Sequence, residues 1–317
     1  MMMIEACLRL LGKLPLPALH RLGELVGRAA YRLSPRYAAR LTDNLAASGL
    51  ADDPAVLERL CRSCVRETGK GLFELLFIWF RPTETAVATI VEASGWHHAE
   101  AARAAGRGIL FLTPHLGCFD VAALYAAVRI PITVLYRPPK LRWLDPIMRS
   151  GRERAHGRIA PTTLGGVRQL LRALRSGEAV GMLPDHVPGT GEGEWTTFFG
   201  RAAYTMTLAG RLQQSTGCVV LLAFARRLPD GRGFVLDITP LEDDLHGSGG
   251  PRRLNQAIEA LVRTCPEQYL WSYNRYKTPA GAPPPPERQD VCPPPGCAAL
   301  RLPPQGGQRP WGRPGER

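Results

Sequence analysis

The sequence predicts an α/β fold in which a mixed central sheet is flanked by helices. Two patterns carry that expectation. From about Thr89 onward, short runs of strand type alternate with stretches of helical periodicity. Before about residue 80 the pattern is helical throughout. Alternation of the first kind covers a sheet with helices and leaves reactive residues on loops at the carboxyl ends of the strands.

The expected strands are Thr89–Glu92, Gly108–Thr113, Ile132–Tyr136, Ala179–Leu183, Cys218–Ala225 and Phe234–Ile238. The expected helices between and after them are Trp96–Ala105, Cys118–Val128, Leu141–Ala155, Gly166–Ser176, Tyr204–Thr216 and Arg252–Cys265. Leu228-Pro229-Asp230-Gly231-Arg232-Gly233 reads as a hairpin connection between the last two strands. Ahead of the sheet, residues 1–48 read as two amphipathic helices. In the first, Leu8, Leu11, Leu14, Leu19, Leu22 and Val26 interleave with Arg9, Lys13, Arg21 and Arg28, and Pro15 and Pro17 interrupt it. Such a helix suits a bilayer interface, and it equally suits a cap over the domain's own core. Ser34-Pro35 opens the next helix as N-cap and first turn, and a third helical block runs from about Pro54 to Phe80.

The chain therefore divides into an N-terminal helical, membrane-surface region (1–80), an α/β domain (81–277) and a tail (278–317). The tail holds Pro283-Pro284-Pro285-Pro286 and Pro293-Pro294-Pro295, a composition expected to stay extended or disordered. The most apolar segment, Gly71 to Phe80, is about half the length a membrane-spanning helix needs and contains Glu74. The first residues have neither a basic n-region nor a small-residue cleavage site, so no cleaved signal peptide is expected.

A net charge of +12 over 317 residues favours an anionic partner such as a phosphorylated substrate or an anionic membrane surface. No nucleic-acid reader motif accompanies that charge, so nucleic acid is not expected as a partner. Lysine stands only at positions 13, 70, 140 and 277, and arginine, the better bidentate phosphate ligand, supplies the rest. The eight cysteines are scattered, without the spacing of a secreted disulfide framework. Cys61 and Cys64 fall inside a helical pattern and have no partner pair, so no metal is expected.

The chemistry centres on Ile109-Leu110-Phe111-Leu112-Thr113-Pro114-His115-Leu116-Gly117-Cys118-Phe119-Asp120, where an apolar strand ends just before a histidine. A carboxylate follows five positions later. On a continuous helix those side chains would stand roughly 140° apart. They meet only if His115 lies in the turn and Asp120 on the next helix, with Gly117 supplying backbone freedom. A strand-end histidine oriented by a carboxylate is the arrangement of a general base. Cys118, between them, offers a rival nucleophile, but its place at the helix start reads as packing.

With its neighbouring blocks, this motif resembles the lipid A biosynthesis acyltransferases of the lauroyl/myristoyl type, a branch of the glycerolipid acyltransferase superfamily. His115-x4-Asp120 is similar to that family's catalytic motif. Tyr136-Arg137-Pro138, Gly151-Arg152-Glu153-Arg154, Leu183-Pro184-Asp185-His186 leading to Phe198-Phe199-Gly200, and Pro266-Glu267-Gln268-Tyr269-Leu270-Trp271 with Arg275-Tyr276-Lys277 resemble its later blocks. The resemblance spans about residues 8 to 277 and departs from the family pattern at Asp120, His186 and Tyr273-Asn274.

The resemblance implies a glycerolipid acyltransferase-like fold on the cytoplasmic face of the inner membrane. It implies transfer of an acyl chain from acyl carrier protein to a hydroxyl of a phosphorylated lipid A precursor. His115 would be the base and Asp120 its orienting carboxylate. Arg137, Arg152 and Arg154 would be candidate oxyanion or phosphate ligands, with Asp185 lining the site and no cofactor required. Two other readings stay open: a thioesterase directing the same pair at water, and a non-catalytic lipid-binding envelope protein.

Overall fold

A computed structural model describes residues 2–286. Its helices are α1 (Met2–Leu11), α2 (Leu16–Leu33), α3 (Pro35–Ala46), α4 (Pro54–Phe80), α5 (Thr83–Val87), α6 (Trp96–Ala104), α7 (Phe119–Ala127), α8 (Asp145–Arg152), α9 (Leu164–Arg175), α10 (Leu208–Thr216) and α11 (Gly250–Thr264). Its strands are β1 (Ile90–Ser94), β2 (Ile109–Leu112), β3 (Ile132–Tyr136), β4 (Gly157–Pro161), β5 (Ala179–Met182), β6 (Gly193–Phe198), β7 (Arg201–Met206), β8 (Val219–Arg227) and β9 (Phe234–Pro240).

Seven strands form one sheet in the order β1-β9-β8-β2-β5-β3-β4. Every neighbouring pair is parallel except β8–β9, which the expected hairpin at Leu228–Gly233 joins in antiparallel sense. The sheet is therefore mixed. The central strands β2 and β5 are buried along their whole length, as their unbroken apolar sequences require. Side chains alternate between two cores. Leu110, Leu112, Val180, Met182, Val220 and Leu222 pack under α3, α9, α10 and α11. Ile109, Phe111, Ala179, Leu221 and Ala223 pack under α2, α6, α7 and α8 on the other face.

Three stretches depart from expectation. β4 is an edge strand paired with β3, and its Gly, Arg and Pro hide it from a pattern search. Pro161 is tolerated because an edge strand leaves one side of its ladder unpaired. The glycine-rich stretch after Asp185 leads into a hairpin, β6–β7, whose turn residues Phe199 and Gly200 both have positive φ (46° and 70°). Tyr204 to Met206 therefore belong to a strand, and the helix expected from Tyr204 starts at Leu208. The helix expected over Leu141–Ala155 is a 3₁₀ turn, Arg142–Leu144, followed by α8.

α4 contributes to both cores, Cys61, Cys64 and Val65 to one and Phe77, Ile78 and Trp79 to the other. α2 lies against α4 in backbone contact. A Cβ on Gly69 would stand 2.0 Å from the Gly23 carbonyl oxygen, and one on Gly27 would stand 2.5 Å from that of Val65. In an ordinary helix Gly→Ala stabilises by about 0.5–1 kcal/mol. Here Gly69→Ala must push the helices apart, an overpacking cost of about 1–3 kcal/mol. A melting temperature a few degrees lower is expected, and a rise would contradict this close crossing.

The same helices share a buried ionic network. Glu74 of α4 accepts hydrogen bonds from Arg227 of β8, with Nη2 at 2.7 Å from Oε2, and meets His20 of α2 at 2.7 Å. Arg227 Nη1 also donates to Glu67, at 2.8 Å. Burial alone would raise the Glu74 carboxyl; the Arg227 charge and hydrogen bonds, with His20, hold it down at about 2.

The outer face of α2 carries Leu25, Val26 and Leu33, the last 82% exposed, beside Arg21, Arg28 and Arg32. Its inner face, with Leu16 and Leu19, closes a core. The apolar residues of this helix are thus divided between a buried face and an exposed one. No helix among the described residues is long and apolar enough to cross a membrane. Of the expected tail, residues 278–286 run along the β6 side, where Trp195 Nε1 donates to the Pro283 carbonyl at 3.0 Å. Residues 287–317 lie outside the described part.

Candidate active site

The site is built by strand adjacency. β2 and β5 are parallel neighbours with Leu112 opposite Met182, and the Thr113 amide extends the ladder to the Met182 carbonyl at 3.0 Å. Carrying that register three residues further sets His115 opposite Asp185, about one inter-strand spacing away. Asp185 Oδ2 accepts from the His115 backbone N–H at 3.0 Å, and Oδ1 lies 2.9 Å from the ring Nδ1.

Asp185 is fully buried and His115 nearly so. Burial would raise the Asp185 carboxyl, but the charge and hydrogen bonds of His115 reverse the effect and hold it well below the usual carboxylate range. An ionised Asp185 accepts a proton-bearing Nδ1, which leaves the lone pair on Nε2. No hydrogen-bond partner for Nε2 occurs among the described residues, and the atom is not sealed in the interior.

The turn that carries His115 is clamped from two sides. The His115 carbonyl accepts from the Leu270 amide at 2.9 Å, the Gly117 amide donates to the Gln268 carbonyl at 3.2 Å, and the Cys118 amide donates to Ala225 at 2.9 Å. Gly117 has φ 60°, and a Cβ there would stand 2.1 Å from the Ala225 carbonyl oxygen, so the position needs glycine. Gln268 also exchanges two hydrogen bonds with the Arg227 backbone, at 2.8 and 2.9 Å, which joins this turn to the buried ionic network.

Asp120 does not orient His115, contrary to expectation. It accepts from Arg152 through Nε at 2.8 Å and Nη2 at 3.1 Å, and from Trp79 Nε1 at 3.3 Å. The reason is helical geometry. Phe119, the first residue of α7, packs edge-on against the His115 ring with centroids 5.5 Å apart. The next side chain points about 100° further round, toward α4 and α8.

The three candidate arginines separate. Arg152, half-buried, forms the bidentate pair with Asp120, its guanidinium 5.5 Å from the Tyr136 ring. Arg154 is not in the site: its Nη1 donates to the Ile78 carbonyl at 2.6 Å and its Nη2 to that of Arg81 at 2.6 Å, closing the end of α4. Arg137 is exposed just beyond β3 and, with exposed Lys277, close enough to His186 to disfavour a charge there. Cys118 is buried, and burial pushes its thiol well above the ordinary value, so it stays protonated and packs.

Asp120 and Arg152 are the charged residues lining an apolar pocket between α7 and the sheet. Phe111, Tyr125, Val134, Gly181, Ala223 and Ile238 line it, and Trp96 stacks parallel to Phe111 with ring centroids 6.3 Å apart. Trp96 and Trp79 were not expected at the site: Trp96 opens a helix and Trp79 stands in the most apolar segment, and neither belongs to a motif. Two further groups flank His115. His186 packs edge-on at 4.5 Å between ring centroids, and Tyr273 stacks at 5.4 Å with 15° between planes.

Over residues 2–278 the chain matches the family model described as bacterial lipid A biosynthesis acyltransferase. It is 29% identical over 282 residues to a lipid A biosynthesis lauroyltransferase of Escherichia coli (strain K12), covering 86% of this chain and 89% of that protein. It is 26% identical over 272 residues to a lipid A biosynthesis palmitoleoyltransferase of the same organism, covering 84% and 87%. With a lipid A biosynthesis myristoyltransferase of that organism it shares 27% over 194 residues, 59% of each chain.

Proposed function

Because the chain belongs to the bacterial lipid A biosynthesis acyltransferase family, we propose that it moves a fatty acyl chain from an acyl carrier protein thioester to a hydroxyl of a phosphorylated lipid A precursor. The observation that carries the mechanism is the paired hydrogen bonding of His115 to Asp185, which leaves Nε2 free to act as a base. An alcohol is a weak nucleophile at neutral pH, and imidazole is the side chain suited to take its proton.

In this mechanism Nε2 removes the hydroxyl proton as the oxygen attacks the thioester carbonyl. A C–O bond forms and the carbonyl electron pair moves onto oxygen. Collapse breaks the C–S bond, and His115 returns the proton to the departing thiolate. Asp185 stays ionised and stabilises the imidazolium. No enzyme nucleophile and no cofactor take part, because the thioester arrives activated. The acyl chain enters the apolar pocket, and Arg137 and Lys277 face the acceptor's phosphates. The outer face of α2, with its leucines beside arginines, suits docking on an anionic bilayer, which would hold the enzyme peripherally on the cytoplasmic side of the inner membrane.

The test is mass spectrometry of lipid A from cells with and without the protein. The expected result is the loss of one acyl chain; unchanged lipid A would overturn the proposal. Pocket length is tested separately. Ala223→Val adds two methyl groups to the lining of the pocket, on a strand that favours β-branched residues. In a competition assay with mixed acyl donors it should shift transfer toward shorter chains, and an unchanged chain profile would exclude this pocket as the acyl site.

A further inference from the structure

Resting on that reaction, we infer that His186 is a catalytic hydrogen-bond donor to the thioester oxygen as it becomes an oxyanion, and that Tyr273 is the positioning residue that fixes its tautomer. A base and its carboxylate do not complete the site, because negative charge develops on the carbonyl oxygen in the tetrahedral intermediate. Asp120 already takes the Nε donor and one Nη2 donor of Arg152 and so fixes its guanidinium on α7, and Arg154 is spent on the end of α4. The donor must stand next to the base, and the side chain packed against His115 that retains one is His186.

The tautomer follows from a chain of hydrogen bonds. The Val187 backbone N–H donates to the Tyr273 hydroxyl oxygen at 3.0 Å. Having accepted that bond, the hydroxyl directs its own proton to His186 Nδ1, 3.3 Å away. Nδ1 is then the acceptor and Nε2 carries the hydrogen. That Nε2 has no partner among the described residues and is not sealed in the interior. With ring centroids 4.5 Å apart the two imidazoles are immediate neighbours, one bearing a lone pair and the other an N–H. Here a hydroxyl oxygen and a thioester carbonyl can sit together.

The donor must also remain neutral, or it would compete with His115 for the proton. Burial is the largest influence on His186; the charge that His115 bears when protonated, and those of Arg137 and Lys277, act in the same direction, only Asp185 opposes them, and the ring is held at about 4. The His115 contribution strengthens once His115 has taken the hydroxyl proton. His186 thus donates throughout the step without exchanging its own proton. The resting groups are reset when C–S cleavage lets the thiolate recover the proton from His115.

The experiment measures steady-state transfer from acyl carrier protein thioester to the lipid acceptor, using wild type, His115→Ala, His186→Ala, His186→Gln, Tyr273→Phe and the His186→Gln/Tyr273→Phe pair. His186→Ala should lower kcat about 100-fold with KM changed less than about twofold. His186→Gln keeps an N–H donor and should stay within about tenfold of wild type. Tyr273→Phe should cost about tenfold in the wild-type background and nothing more in the His186→Gln background, since an amide has no tautomer to fix. A purely structural tyrosine would cost the same in both. Wild-type kcat in His186→Ala, or equal costs of Tyr273→Phe in the two backgrounds, overturns the inference and leaves the base mechanism standing. An inactive wild type, or a fully active His115→Ala, overturns the proposed reaction itself. The Gln and Phe variants are near-isosteric, so the comparison between backgrounds survives even where His186→Ala fails to fold.

Discussion

His115→Ala is expected to lower acyl transfer by about 10³- to 10⁴-fold, since it removes the group proposed as both general base and returning acid. Asp185→Asn should lose nearly as much for a different reason. The Asn amide would donate to Nδ1, and the imidazole would then carry its proton on Nε2, where the lone pair is needed. Asp185→Asn should melt near wild type at pH 7, because it keeps the shape of the residue replaced. His115→Ala leaves the buried Asp185 carboxylate without its ring partner and should melt lower, so its activity is compared below its own melting transition. The informative contrast is with Asp120→Asn. That substitution weakens the pair with Arg152 without touching the His115 tautomer, so its cost should fall mainly on stability and acyl binding. If Asp120→Asn abolished kcat while Asp185→Asn retained it, the assignment of Asp185 would be wrong.

The largest effect on stability is expected at Arg227. Replacing it by Met leaves Glu74 fully buried without its principal counter-ion, and such uncompensated burial costs about 3–5 kcal/mol. Glu74→Leu with Arg227→Met should recover much of that loss, because a buried ion pair exchanged for apolar side chains is often neutral. The wild-type pH profile follows from the depressed Glu74 carboxyl. Its folded value, about 2, lies below the ordinary 4.5, so the unfolded chain binds the proton first as pH falls. The stability contributed by Glu74 is complete above about pH 4.5 and is lost as pH drops toward 2. Chemical denaturation at pH 3 and pH 6 should show this slope in wild type and a smaller one in the double variant. Equal slopes would remove Glu74 as its source.

Much of the fold was legible because its signals are local. β2 and β5 are unbroken apolar runs, and Ser34-Pro35 opens α3 with the Ser34 hydroxyl accepting from the Tyr37 amide. β4 was hidden by Gly157, Arg158 and Pro161, which an edge strand tolerates and a pattern search rejects. The β6–β7 hairpin was masked by its glycine-rich approach and by a Phe199-Gly200 turn that lacks the usual Asn or Asp. His115 was legible from its place after a strand. Its carboxylate was not, because Asp185 reaches it through the order of strands in the sheet, and strand order leaves no mark within a few residues. The short spacing from His115 to Asp120 suggested a partnership that helical geometry then directed to Arg152. Arg152 and Arg154 could not be told apart in sequence, since two steps along a chain that is leaving a helix send side chains to unrelated places.

Neighbouring strands deliver His115 and Asp185, while the chain between them makes a long excursion through β3, α8, β4 and α9 before returning. That excursion supplies part of the pocket wall, including Val134, Gly151, Arg152 and Gly157. The dyad is thus fixed by hydrogen bonds between β2 and β5, whatever happens on the detour. Insertions, deletions and reshaping there can accumulate without disturbing the His115–Asp185 pair. On the proposed mechanism, a lineage carrying this scaffold is free to change the hydrocarbon it accepts while inheriting the same proton chemistry intact.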